Sequence, residues 1–71
     1  MIDAGRCLRL AQNDLGVASV EVAKRTGSTP QQVVRWRSQE NMKLHTVEML
    51  AKALDLSVYD FLLYDNLDSP R

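Results

Sequence analysis

A single cysteine, Cys7, excludes an internal disulfide and a cysteine metal cluster, so packing, alone or with a partner chain, must hold the fold together. No apolar run approaches the roughly 18 residues needed to span a bilayer. Residues 1–6 also lack the charged start and apolar stretch of a signal peptide, which points to the cytoplasm and away from any membrane. There is no internal repeat, no low-complexity tract and no linker. The 71 residues leave room for one domain and one small core, with no space for a separate catalytic or sensor domain. Hydrophobic residues at 45% and charged ones at 25% fit a folding globular domain rather than a disordered chain.

Net charge is also missing, since nine Lys/Arg balance nine Asp/Glu. A neutral sum argues against nucleic acid, whose phosphates call for a basic surface. The distribution is more informative. Residues 1–43 hold seven basic and four acidic residues, whereas 44–71 hold two and five. Between Val22 and Gln39 there are four basic residues and no acid, so the positive charge is local.

The apolar spacing predicts five helices and no strand. A first helix over about 3–14 places Leu8, Ala11 and Leu15 on one stripe, and Gly16 ends it. A second over about 19–26 turns Val20, Val22 and Ala23 inward before the permissive backbone of Gly27. The third has the clearest start: Thr29 as N-cap, Pro30 in the first helical position, and Gln32 completing a capping box. Its buried edge is Val33 and Trp36. A polar loop over 38–43 precedes a fourth helix marked by Leu44, Val47, Leu50, Ala51 and Leu54. Ser57 with Asp60 caps a short fifth carrying Val58, Phe61 and Leu62. Residues 1–64 form the expected domain and 65–71 a flexible tail. Helix end, glycine turn and freshly capped helix over 22–37 follow the pattern of a DNA-reading helix-turn-helix.

With these residues in place, the chain from Gly5 to about Tyr64 resembles the Cro/repressor-type, lambda-repressor-like or XRE-like helix-turn-helix family. The likeness rests on Gly16, Ala23, Gly27, Val33 and Trp36, and on the run from Leu50 to Leu62. It implies an all-α, compact five-helix DNA-binding domain whose third helix lies in the major groove, and commonly a dimer on a palindrome. Carried over by position, Pro30, Gln31, Val34 and Arg35 would read bases. The helix pattern agrees, because an inward Val33 and Trp36 leave Gln31, Gln32, Val34, Arg35 and Ser38 facing out. Glutamine can bond adenine, arginine can bond guanine, and valine can touch a thymine methyl. Base contacts are therefore expected from Gln31, Gln32, Val34 and Arg35, and phosphate contacts from Ser19, Thr29, Arg37, Ser38, Gln39, Asn41 and Lys43.

Two departures from the family stand out. The residue before Ser19 is Ala18, which cannot cap, so Ser19 itself is expected to cap the second helix. The family often pairs an arginine of the first helix with a glutamate at the end of the third; here Gln12 and Arg37 hold those positions, and Arg37 is expected to turn toward phosphate.

Plainer readings compete at several positions. Gln32 could be fully used by the cap, Trp36 fits a core stripe better than a stacking platform, and Lys24 and Arg25 could merely solubilise the second helix. His45 with Glu48 lacks a third ligand, so no metal is expected. Cys7 has no base beside it and reads as inert and at least partly buried. No cofactor, small-molecule ligand or enzymatic activity is expected. The segment 59–67 carries more apolar surface than a short helix needs, so Phe61, Leu63, Tyr64 and Leu67 are expected to meet a second subunit. The whole reads as a homodimeric Cro-like repressor of bacterial or phage type that binds double-stranded DNA. The alternative is a protein-interaction module on the same scaffold: an antirepressor, a coactivator or a toxin-binding antitoxin.

Overall fold

In the computed structural model, which describes residues 2–66, five α-helices and a terminal 3-10 turn follow one another: α1 (Ala4–Leu15), α2 (Ser19–Thr26), α3 (Pro30–Arg37), α4 (Leu44–Ala53), α5 (Val58–Leu63) and the turn Tyr64–Asn66. No strand occurs among the described residues. Several helix boundaries have a local cause. Asp3 caps α1 by accepting a hydrogen bond from the Arg6 backbone N–H (3.0 Å), and Gly16 ends the helix in the left-handed region at φ 69°. Gly27 stops α2 in the same way at φ 70°. Ser57 caps α5 through the Asp60 N–H (3.0 Å). At the end of α4 the left-handed position falls to a non-glycine residue, Asp55 at φ 61°.

The core gathers Cys7, Leu8 and Ala11 of α1, Val22 and Ala23 of α2, Val33 and Trp36 of α3, Val47, Leu50 and Ala51 of α4, and Phe61 of α5. Helix α3 packs on α1 and α2, while α4 and α5 close the other side against α2 and α1. Three residues expected inside lie outside: Leu15, Val20 and Leu44 are exposed. Each sits in the first or last turn of its helix, and Val17 and Met42, from the flanking loops, pack against the core instead. Val20 is also about 200° around the helix from Val22, so both cannot face inward.

Phe61 does not belong to an exposed surface. It is 0% accessible within its own chain, so it closes the core and leaves the partner-facing set. Leu63 remains exposed, and Leu67 lies outside the described residues. Tyr64 is half-buried, and its hydroxyl donates to the Asp14 carboxylate at 2.7 Å, bracing the end of α1. That bond, with burial adding to it, pushes the phenol up to about 12. The expected tail from residue 65 starts too early, because Asp65 and Asn66 continue the 3-10 turn; 67–71 lie outside the described residues. Cys7 is fully buried, with its thiol donating to the Leu62 carbonyl at 3.7 Å. Burial first, and then the charge of Asp65, pushes this thiol up to about 11. No helix among the described residues is long and apolar enough to cross a membrane.

Candidate nucleic-acid interface

Helix α3 begins where the Thr29 hydroxyl oxygen accepts from the Gln32 N–H at 3.2 Å, with Pro30 next in line. Only half of the expected reciprocal box forms, because no bond returns from the Gln32 side chain to Thr29 among the described residues. Gln32 is therefore half-buried and unbonded rather than consumed by the cap. Val33 and Trp36 face the core, which turns Gln31, Val34, Arg35 and Ser38 outward along one stripe at helical spacing. Val34 is 60% exposed, an apolar residue held in solvent by this register. Gln31 and Arg35 flank it, exposed, their side chains unbonded among the described residues.

The C-terminal end of α3 is seated on α1. The first two N–H groups of α1, which no helix can satisfy internally, donate to the following loop: Ala4 to the Glu40 carbonyl (2.9 Å) and Gly5 to that of Gln39 (2.7 Å). A Cβ on Gly5 would fall 2.5 Å from the Gln39 oxygen, 2.7 Å from that of Arg37 and 2.8 Å from that of Trp36. Only glycine admits this approach. The Arg9 guanidinium donates to the Arg37 carbonyl from the next turn of α1. The loop's outer side chains, Gln39, Asn41 and Lys43, are exposed beside α3.

Ser38 fits the phosphate set poorly. Its hydroxyl donates to the Arg35 carbonyl at 2.9 Å, closing the last turn of α3 and leaving no side-chain donor for an anion. Ser19 departs from expectation in another way: Ala18 occupies the cap position of α2 with no side-chain cap bond, and Ser19 is the first helical residue. The Ser19 oxygen instead accepts from Gln12 Nε2 (3.3 Å) and Arg37 Nη1 (3.1 Å). With both lone pairs engaged, its own O–H is left as a donor with no acceptor among the described residues. Arg37 does not swing free, since Nη1 also donates to Gln12 Oε1 at 3.4 Å.

Arg25 is held by the scaffold: Nε pairs with Glu21 at 2.9 Å, and Nη1 donates to the Ala53 carbonyl at 2.9 Å, clipping α2 to the end of α4. Lys24 is exposed. Sequence reasoning missed Gly5 and Arg9 as residues that seat α3, and set Gln12 with Arg37 only through the family resemblance, without the bond between them. A glycine near the start of an otherwise well-formed helix was the available signal for the first, because it costs about 1 kcal/mol there without a packing reason. For Arg9 and Gln12 nothing local distinguished a seat from a surface.

The comparisons agree with this architecture. A family model described as a Cro/C1-type HTH DNA-binding domain matches residues 9–66. The clp gene regulator ClgR from C. glutamicum has a similar solved structure, with a TM-score of 0.77 and 23% identity over 89% of this chain and 82% of that one. So does the DNA-binding domain of the P22 C2 repressor (residues 1–76), at 0.74 and 23% over 96% and 90%. Among curated proteins, none matches this sequence.

Proposed function

We propose that this chain, which belongs to the Cro/C1-type helix-turn-helix DNA-binding domain family, is a sequence-specific transcriptional regulator of the repressor kind. Helix α3 would lie in the major groove, with Gln31, Val34 and Arg35 on base edges and the unbonded Gln32 beside them. Ser19 and Thr29 each have a hydroxyl whose oxygen already accepts a hydrogen bond and whose proton is free, which suits a phosphate oxygen. Gln39, Asn41, Lys43 and Arg37 would extend the backbone contacts along the same face. The observation that carries the reading is the outward stripe Gln31, Val34 and Arg35, unbonded within a stretch that has no acid. Both similar structures come from gene regulators, one of them a repressor.

The regulator would act in the cytoplasm as a homodimer on a palindromic operator, with two copies of α3 about 34 Å apart on successive turns of the groove. Exposed Leu63 and half-buried Tyr64 are the residues offered to the second subunit. Occupying an operator and blocking polymerase access is the simplest mechanism. The test is selection of binding sites from random duplexes at two salt concentrations. The expected result is an enriched two-fold symmetric motif whose affinity falls steeply with salt. Undetectable duplex binding at low salt would sink the reading in favour of a protein-interaction module on this scaffold.

A further inference from the structure

Arg37 is a cation held entirely by neutral groups. Its Nη1 donates to Gln12 Oε1 at 3.4 Å and Ser19 Oγ at 3.1 Å, and among the described residues no carboxylate pairs with it. Nη2 and Nε take no partner there either. Gln12 is the hub of this arrangement: only 4% exposed, it accepts from Arg37 while its Nε2 donates to the Val17 carbonyl (3.0 Å) and Ser19 Oγ (3.3 Å). An amide can accept on one side and donate on the other, so a single side chain ties the end of α3 to the turn before α2. The guanidinium is thereby fixed beside the first turn of α2, itself the positive end of a helix and without a side-chain cap. Two positive features side by side repel each other unless an anion joins them.

We propose that Gln12 is a positioning residue for DNA affinity: its neutral amide pins the Arg37 guanidinium against α2 while leaving the charge available to a backbone phosphate. The inference rests on the DNA-binding reading above. It assigns a function to the neutrality of the amide at position 12, since an acid there would hold the same guanidinium and neutralise it. Gln12 itself need not touch DNA.

The test measures affinity of the full chain for its selected duplex across a salt series, in the parent and three variants, with thermal melts confirming that each is folded. Arg37→Gln should make the salt slope shallower by the equivalent of about one phosphate contact and weaken binding at low salt about three- to tenfold. Gln12→Glu should flatten the slope by the same amount with the guanidinium still present. Gln12→Met, which keeps bulk but frees the arginine, should weaken binding several-fold while retaining the parental slope. Base preferences should be unchanged in all three. A parental slope in Arg37→Gln overturns the inference whether or not Gln12→Glu folds. So does parental affinity in Gln12→Met, or a parental slope in a folded Gln12→Glu. If the parent itself shows no salt-dependent duplex binding, the DNA-binding reading fails and this inference fails with it. A steep parental slope that the variants leave untouched overturns this inference alone.

Discussion

The two ends of α3 are built on opposite principles. Its N-terminus rests on one hydroxyl cap, and the outward face that runs from there presents Gln31, Val34 and Arg35 with nothing bonded to the two polar side chains. Its C-terminal end is enclosed: α1 N–H groups, the Arg9 guanidinium and the Gln12 amide all converge on it or on the loop that follows. The difference explains how so short a helix can be both presented and aimed. Eight residues, as α3 has, are too few for helix propensity alone to maintain structure. The direction of the free half is therefore fixed by how firmly the other end is seated.

The seat should be the easier half to break. Gly5→Ala would gain some helix propensity, but it forces a methyl into three backbone carbonyls that cannot move without lifting the loop off α1. The expected net effect is a loss of about 3 kcal/mol in urea unfolding, accompanied by weaker duplex binding through misplacement of α3. Parental stability in this variant would show that the close approach relaxes easily, and the contrast between the two ends would weaken.

The presented half should behave in the opposite way. Arg35→Ala removes an exposed side chain, so its unfolding free energy should stay within about 0.5 kcal/mol of the parent. Its discrimination at one base-pair position of the operator should fall by about 2 kcal/mol, read from competition between the selected site and single substitutions of it. A uniform loss across all sites would reassign Arg35 to the phosphates. Thr29→Ala falls between the two, because it removes the side-chain cap at the N-terminus of α3. Stability should drop by about 1 kcal/mol. If it did not change, the cap would contribute nothing beyond what Pro30 already fixes.

The presented half was also the legible half. Thr29, Pro30 and the spacing of Val33 and Trp36 state where α3 begins and which side is buried, and the outward residues follow by subtraction. The same logic located the caps at Gly16, Gly27 and Ser57 and most of the core. It failed where tertiary contacts reassign a residue that local pattern would place elsewhere. Val20 and Leu44 read as core until loop residues Val17 and Met42 packed there instead. Phe61 read as surplus apolar surface because its contacts come from helices distant in sequence. Ser38 and Ser19 were assigned to phosphate by position alone, yet only the fold shows which proton each hydroxyl has left to donate. The seat under α3 was the least legible part, since backbone carbonyls and N–H groups carry no sequence signal.

The helix that seats α3 is itself braced at its far end, and this gives the smallest and most discriminating expectation. Tyr64 donates to Asp14 at 2.7 Å, joining the last turn of α1 to the segment after α5. Its phenol is raised from the ordinary value of 10 to about 12, the bond to Asp14 being the largest cause. A folded-state value above the unfolded one means the neutral phenol is the stabilised form. Its contribution is complete below about pH 10 and is lost as pH climbs through about 12. Because the pair is partly solvated, Tyr64→Phe should cost only about 0.5 kcal/mol at neutral pH. Cys7 also titrates upward, to about 11, but it does so in both proteins and cancels in their difference. The gap in stability between parent and variant should therefore close over the Tyr64 window and nowhere else. A gap that persists above pH 12 would mean that Tyr64 acts through packing of its ring, and that the bond to Asp14 contributes nothing to holding α1 in place.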